Sequence, residues 1–472
     1  MGYTRAIQRG YGVGAWAGLR LAFAAALVAA SAAVGAQTAE TDTFSLQRLF
    51  VGGTLSTQVR QFSMMTENAP GLSDYFAIAA GASMTYRTRP WRGMQVSFGG
   101  EFVTDIASSD FSRPDPVTGA FDRYNIGLYE VLELNNKTSL ARVATLNLRY
   151  SPDPRLQVIW GKQGINTPLV NPQDGRMNVS IFEGLYAYLR PASWLSAQGG
   201  VLWAASPRST NRWFDIPGSV GVYSMGRRPD GQPYDYRGKI PARELYIAQA
   251  GTDRFGKTDL YFYGLPGVVN VLWLQSEHAW ALGVADTLQG GLIVLGQRAA
   301  RTSPDYAGIY VPEAMRTHAH SLMLAWKSRT FRLQVAHTRI GASGQFIWPR
   351  EWGRETFYTF MPRERNEGAA DVRAYNLRAH WTAPTGRLSV ILGAGHYRLP
   401  DPNDYARNKY GMPSYNHYFV GGRYAFGGVW QGLEAQWVLV YKQNQGNLFD
   451  NPAYRINKVD MGNYNLIFNY RF

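Results

Sequence analysis

The 472-residue sequence contains no cysteine, which excludes a disulfide-stapled scaffold, a thiolate metal site and a cysteine nucleophile. Beyond Gln37 it also lacks any apolar run of the roughly 20 residues that a transmembrane helix needs. Its mean hydropathy is mildly polar, at −0.26, although aromatic residues are abundant. The missing apolar runs and the mildly polar hydropathy together exclude a helical membrane protein.

Signals of catalysis and of metal binding are missing as well. The histidines lie at positions 278, 318, 320, 337, 380, 396 and 417, and none has the His-x-x-x-His spacing of a zinc site. His318 and His320 share one strand face, which we interpret as a wet rim feature rather than a metal site. There is no Gly-x-Ser-x-Gly motif and no phosphate-binding glycine loop. We therefore predict no catalytic residue, no metal and no cofactor.

The N-terminus has the form of an export signal. Three arginines flank or precede an apolar run that begins at Leu21, and small residues follow from Val34 to Ala36. The run is shorter than a helical anchor that spans a bilayer. We predict that residues 1–36 are a cleaved signal peptide and that residues 37–472 form a single exported domain.

What the chain does have is strand periodicity. Its last segment alternates with a period of two, with asparagine and arginine on one face and apolar side chains on the other. Aromatic residues gather near segment ends, where lipid headgroups would meet their amphipathic rings. A soluble sandwich shows the same alternation, so the pattern alone does not decide between the two. The apolar faces carry Tyr464, Leu466, Phe468, Tyr470 and Phe472 in the last segment and Ala144, Leu146, Leu148 and Tyr150 in an earlier one.

The connections between segments distinguish a membrane barrel from a soluble sandwich, because they fall into two length classes that alternate along the chain. Tight turns on one rim and long loops on the other are the layout of an outer-membrane barrel. Short joints occur near 89–92, 151–154, 190–193, 327–329, 383–386 and 427–428. Long connections run approximately over 105–141, 165–181, 205–242, 299–316, 342–370, 399–415 and 443–459. The sequence therefore predicts a transmembrane antiparallel up-and-down β-barrel of the bacterial outer membrane.

The strand number follows from parity. About nineteen segments qualify as strands by their alternation, and the region 243–298 is the hardest to divide. Because single-chain bacterial barrels have an even number of strands, we predict 18, with 16 as the alternative. Wall side chains cannot fill a cylinder of that width. No region of plug size precedes the first strand near Val51, so we predict a water-filled pore narrowed by loops.

Charge indicates what such a pore would pass. The chain is formally +14 and stays strongly positive without the arginines of the predicted signal. Basic side chains along a narrow aqueous path attract anions, and a guanidinium binds a carboxylate bidentately. Alternatively, these cations brace the barrel by pairing with loop acids, or bind lipopolysaccharide phosphates at a rim. Strand parity places few acids on the inner face, such as Glu101 and Glu434, and a basic ladder of Arg60, Arg149, Arg332, Arg378, Arg423, Lys442 and Arg471.

Two segments resemble loops of the OprD family of outer-membrane porins. Residues 161–169, Gly-Lys-Gln-Gly-Ile-Asn-Thr-Pro-Leu, followed by an Asp-Gly-Arg triplet, are similar to the third external loop of that family. Trp352-Gly353 and a later charged cluster resemble its seventh loop, although the stretch 349–355 is unusually charged here. The resemblance implies a monomeric 18-stranded barrel whose third and seventh loops fold inward. It places in the constriction Asp174, Arg176, Arg363, Glu364 and Arg365.

The function expected from these features is passive, substrate-selective diffusion of small carboxylate-bearing solutes such as amino acids, short peptides or aromatic acids. The alternatives are a general or phosphate-type anion porin, and a barrel-embedded enzyme or adhesin that acts through its long loops. The expected partners are outer-membrane lipid, lipopolysaccharide and small anionic or zwitterionic solutes. We expect no nucleic-acid partner, because no basic cluster with stacking aromatics is present.

Overall fold

The computed structural model describes residues 45–135, 137, 140–223, 225–254 and 256–472. The predicted signal peptide, residues 1–36, lies outside the described residues. No helix in this part of the chain has the length and apolar character needed to cross a membrane. Two short α-helices are present among the described residues, α1 (Leu46–Phe50) before the first strand and α2 (Ile216–Ser219) in a loop. The strands are β1 (Thr54–Glu67), β2 (Tyr75–Arg87), β3 (Met94–Ser108), β4 (Leu140–Asp153), β5 (Leu156–Gln163), β6 (Ile181–Ala192), β7 (Leu195–Ser206), β8 (Phe214–Asp215), β9 (Leu245–Thr252), β10 (Lys257–Leu265), β11 (Val269–Ala281), β12 (Thr287–Ala299), β13 (Arg316–Lys327), β14 (Phe331–Ile340), β15 (Arg373–Thr382), β16 (Leu388–Arg398), β17 (Tyr415–Ala425), β18 (Leu433–Asn444) and β19 (Met461–Arg471).

All of these strands except β8 close into one antiparallel barrel. Each pairs with its neighbours along the chain, β7 pairs with β9, and β19 returns to β1 with Arg471 opposite Gln58. The two-residue β8 extends only the loop-side end of β7. The predicted number of 18 barrel strands is confirmed, and the region 243–298 resolves into β9 to β12. Closure lets every strand pair on both sides, which a wall in hydrocarbon requires.

The two faces of the wall differ as the period of two demands. In β19 the outward Leu466 is 44% exposed, whereas the inward Asn465 is 3% exposed. Apolar side chains cover the outside between two girdles of exposed aromatic residues, so the belt suits acyl chains in its middle and headgroups at its edges. The loop-side girdle includes Tyr375, Tyr418, Tyr441 and Tyr464, and the turn-side girdle includes Trp326, Trp381, Tyr424 and Tyr470.

The connections confirm the predicted asymmetry of the two rims. Two loop-side connections, 68–74 and 266–268, are short, and all the other loop-side connections are long. The turn-side connections are 88–93, 154–155, 193–194, 253–256, 282–286, 328–330, 383–387 and 426–432. The long loops are 109–139, 164–180, 207–244, 300–315, 341–372, 399–414 and 445–460.

One β-bulge changes the face of predicted residues in β4. Gly99 pairs with Thr145 but Gly100 pairs with Val143, which leaves Ala144 without a cross-strand partner. Beyond an extra residue the alternation of faces reverses. The assignment of Ala144 to a regular outward series is wrong for this reason, and the residues before it in β4 have the opposite parity from the one the sequence predicts.

Candidate functional site

Three loop-side segments fold into the bore, and we name them L3 (164–180), L4 (207–244) and L7 (341–372). L3 and L7 contact each other through backbone and side-chain hydrogen bonds. The amide of Asn171 donates to the carbonyl of Trp352 at 3.0 Å, and the indole of Trp348 donates to the carbonyl of Leu169 at 3.0 Å. A Cβ atom on Gly353 would lie 2.4 Å from that Leu169 oxygen. The contact therefore requires glycine at this position, and the two loops form one body.

L7 is anchored to the wall by the buried carboxylate of Glu364. This carboxylate accepts a hydrogen bond from the Tyr415 hydroxyl and lies 2.7 Å from His417 Nδ1 and 3.0 Å from Lys442 Nζ. Lys442 also donates to the carbonyl of Arg363 at 2.8 Å. Burial opposes ionisation of Glu364, but Lys442 and His417 together lower its pKa below the ordinary value. Glu364 and Lys442 thus neutralise each other inside the anchor.

Further contacts spread L7 over about half of the barrel circumference, from β11 to β19. The hydroxyl of Tyr358 donates to Glu277 of β11 at 2.9 Å. At the other end, the guanidinium of Arg363 donates to Asn463 at 2.7 Å and to Asn465 at 2.6 Å, both in β19. L7 is therefore held to the inner wall at several points, and its position narrows the bore.

Five arginines from L3, L4 and L7 converge in this narrow region. Arg208 donates to the backbone oxygen of Gln173 at 3.2 Å, and Arg365 donates to the side-chain oxygen of the same residue at 3.1 Å. The Arg354 guanidinium stacks over the ring of Phe360 at 4.2 Å. We call this group the arginine cluster, and its members are Arg176, Arg208, Arg354, Arg363 and Arg365.

The charges of the arginine cluster act on one another. Burial, together with the positive charges of Arg208 and Arg354, lowers the pKa of Arg363 to about 10. Burial and the charges of Arg208 and Arg365 lower the pKa of Arg354 to about 10 in the same way. A lowered pKa means that the surroundings disfavour the charged form. An anion that enters the cluster would relieve this repulsion.

The acids that act on the arginine cluster are fewer than its arginines, and they are Asp122, Asp174, Glu355 and Glu367. Asp174 Oδ1 lies 2.7 Å from Nη1 of Arg60, which projects from β1 and also donates to the carbonyl of Arg176 at 2.7 Å. Glu355 accepts a hydrogen bond from the backbone amide of Asn366. The Asp174 side chain remains 54% exposed, whereas that of Arg60 is 12% exposed. The pair ties L3 to the wall and leaves the arginine cluster with a net positive charge.

The seven residues of the predicted basic ladder fall into two groups. Arg60 and Lys442 hold loops, as described above, and Arg378 also contacts a loop, since it donates to the carbonyl of Tyr358 at 2.9 Å. The other four point inward near the turn-side ends of their strands, where Arg149 lies opposite Gln95 and Arg471 lies opposite Gln58. These four are Arg149, Arg332, Arg423 and Arg471. Each predicted loop residue, in turn, lies in L3 or L7.

Sequence reasoning missed three arginines. Arg208 and Arg354 lie in loops, where strand parity gives no face, although the charged stretch 349–355 was a usable signal for Arg354. Arg142 was missed because the bulge at Ala144 reverses its parity. Its guanidinium lies 2.5 Å from the carboxylate of Glu101 and is fully buried, so this pair braces the wall.

Two acids on the opposite wall complete the electrostatics of the bore. Asp259 of β10 accepts a hydrogen bond from Gln249 at 2.7 Å. Glu277 of β11 accepts hydrogen bonds from Gln275 and Tyr358. Within the described part of the chain, neither acid forms an ion pair. In the closed sheet order, β10 and β11 lie about half way round from β1 and its Arg60. Asp259 and Glu277 therefore face the part of the wall that carries Arg60.

Comparison with known proteins supports the fold through solved structures alone. No protein-family model and no curated protein matches the chain. The structure of Pseudomonas aeruginosa OccK9 (OpdG) is similar with a TM-score of 0.71 and 14% identity, covering 90% of this chain and 99% of that one. For Acinetobacter baumannii OccAB4 the TM-score is 0.68 and the identity 13%, covering 89% of this chain and 98% of that one. For Pseudomonas aeruginosa OpdK with vanillate the TM-score is 0.66 and the identity 14%, covering 90% of this chain and 99% of that one. The chain has the fold of these OprD-type porins, as the loop resemblance implied.

Proposed function

We propose that this chain is an outer-membrane channel of the OprD type through which small carboxylate-bearing solutes diffuse passively. The arginine cluster carries the proposal, because five guanidinium groups meet where L3 and L7 narrow the bore and the neighbouring acids are fewer than these arginines. A passing carboxylate offsets the repulsion among these groups and accepts paired N–H bonds from a guanidinium. The inward arginines nearer the turns, such as Arg149 and Arg423, then continue the path.

In this proposal the barrel lies in the bacterial outer membrane, with its long loops outside and its turns in the periplasm. The two aromatic girdles and the apolar belt between them support that placement. Residues 1–36 direct export and are removed. The barrel works as a monomer, contacts lipid and lipopolysaccharide, and has no catalytic role.

The separation of charge across the bore favours solutes with a carboxylate and a second polar group. A zwitterion lowers its energy when its carboxylate faces the side of Arg60 and its ammonium faces Asp259 and Glu277. This supports amino acids and short peptides over inorganic phosphate. Aromatic acids belong to the proposed range as well, and the solved structure of OpdK with vanillate concerns a solute of that kind.

The test is planar-bilayer recording of the purified barrel. Reversal potentials in a salt gradient should show that chloride permeates better than potassium, and Arg354→Gln, Arg378→Ala and Arg423→Ala should each reduce that preference. Arg329→Gln, at an exposed turn outside the bore, is the control and should leave it unchanged. A preference for cations, or unchanged anion flux in all three variants, would remove the arginines from the mechanism.

Competition then separates the alternatives. We expect small carboxylates to reduce the single-channel current at lower concentrations than inorganic phosphate. The reverse order would favour a phosphate-type porin. A barrel that gives no channel steps but hydrolyses lipid or peptide would contradict the transport proposal altogether.

A further inference from the structure

The outer surface of the barrel carries a row of arginines that the channel does not use. Arg339 of β14 lies opposite Arg373 of β15, which lies opposite Arg398 of β16. Residues directly opposite each other share one face of a sheet, and the exposed outward Tyr375 lies two positions from Arg373, so all three point outward. Because neighbouring strands are about 4.8 Å apart, the row is about 10 Å long.

The acids near this row are too few to balance its positive charge. Like charges directly opposite each other destabilise a sheet. Arg339 has one acidic partner, Asp371, at 2.5 Å. In the described residues, the guanidinium groups of Arg373 and Arg398 have neither a hydrogen-bond acceptor nor an ion-pair partner. An anion from outside the chain would balance these charges.

A groove of about 510 Å³ lies on the same outer face, toward the middle of the membrane belt. It forms because the small Ala379 and Ala394 lie between larger outward side chains such as Leu377 and Tyr418. Leu377 follows Arg373 by four residues in β15, which corresponds to about 13 Å along the strand. The groove thus begins below the arginine row and is lined by apolar side chains, which suit an acyl chain.

We propose that the arginine row and the groove together form a site for one phosphorylated glycolipid of the lipid A type. Its phosphate groups contact Arg373 and Arg398, and one acyl chain occupies the groove beside Ala394. Arginine binds phosphate through strong charge-assisted hydrogen bonds, and basic sites of this kind recognise lipid headgroups. The inference rests on the proposed outer-membrane placement, because only then does the loop-side rim face the outer leaflet.

Charge and shape select this occupant over simpler ones. A free phosphate ion would neutralise the row but would leave the groove empty. A zwitterionic phospholipid has an acyl chain for the groove, but its headgroup has no net charge to offset Arg373 and Arg398. A lipid that has several phosphates and acyl chains satisfies both parts of the site at once.

The experiment is a binding titration of the full-length purified barrel in detergent micelles. The probes are bisphosphorylated lipid A, the same lipid without phosphates, and inorganic phosphate, with bound lipid counted by native mass spectrometry. The double variant Arg373→Gln/Arg398→Gln should bind lipid A at least about tenfold more weakly, since each lost charge-assisted hydrogen bond contributes about that factor or more. Arg329→Gln, an exposed arginine at the opposite rim, is the control and should bind normally.

A second variant tests the groove while it keeps the arginines. Ala394→Trp should fill the groove and weaken binding of lipid A severalfold. Unchanged lipid A binding in the double variant, equal binding of the lipid without phosphates, or full displacement of lipid A by an equal concentration of phosphate would each overturn the site. Anion-selective conductance of the wild-type barrel distinguishes the two proposals. Anion-selective conductance without lipid binding would refute only the lipid site. Lipid binding without anion-selective conductance would refute only the proposed channel.

Discussion

Replacing Glu364 by Gln should release L7 from the barrel wall. The side chains of Glu364 and Lys442 are 1% and 3% exposed, so the substitution leaves a buried ammonium without its counter-charge. Removing one partner of a buried ion pair costs about 3–5 kcal/mol. Because about 1.4 kcal/mol corresponds to a factor of ten, the population with L7 detached should rise by roughly two to three and a half powers of ten. The change concerns one loop, so the barrel itself should stay folded.

Single-channel recording of Glu364→Gln should then show a larger conductance or frequent switching between two levels. Limited trypsin digestion should cut L7 after Arg363 or Arg365, which the wild-type loop protects. Glu364→Gln/Lys442→Met is the matched control, since exchanging both members of a buried pair for neutral groups is often close to neutral. Wild-type conductance and digestion in the single variant, or equal damage in the single and double variants, would refute the anchor.

Two further predictions concern the loops. Gly353→Ala should force L3 and L7 apart, because its Cβ would meet the Leu169 oxygen at 2.4 Å, and should increase conductance. Gly175→Ala in L3 should not, because its Cβ would come no closer than 3.8 Å to another heavy atom. Burial and neighbouring arginines lower the pKa of Lys458 to about 7. Below pH 7 the closed loop 445–460 therefore bears a partly buried cation, and the cost of that charge falls progressively as the pH rises from 7 toward the ordinary lysine value near 10.4. Amide exchange, corrected for intrinsic rates, should show the loop opening less at pH 9 than at pH 6, and Lys458→Met should abolish the difference.

The wall was predictable because strand geometry is local. In β19 each residue points to the face opposite its neighbours, so the order of Asn463, Tyr464, Asn465 and Leu466 is enough to assign inside and outside. The sequence also predicted that one rim carries short turns and the other long loops, because the lengths of the connections can be read directly along the chain. The prediction failed at Ala144, where a bulge inserts one residue and no signal in β4 alone marks it.

The site depended on contacts between residues far apart in sequence. Strand parity placed Lys442 on the inner face, but only the folded chain brings Glu364 to it and turns a supposed ladder cation into an anchor. Arg208 and Arg354 lie in loops without a repeating geometry, and they meet because L4 and L7 enter the same bore.

The sequence by itself determined the barrel, its sidedness and the polarity of the strand faces away from the bulge in β4, because these follow from a two-residue period and from connection lengths. Only the tertiary structure decided which charges meet one another. Pairing energies such as those of Asp174 with Arg60, or of Arg373 with Arg398 across the outer wall, depend on distances that closure of the barrel and folding of its loops create.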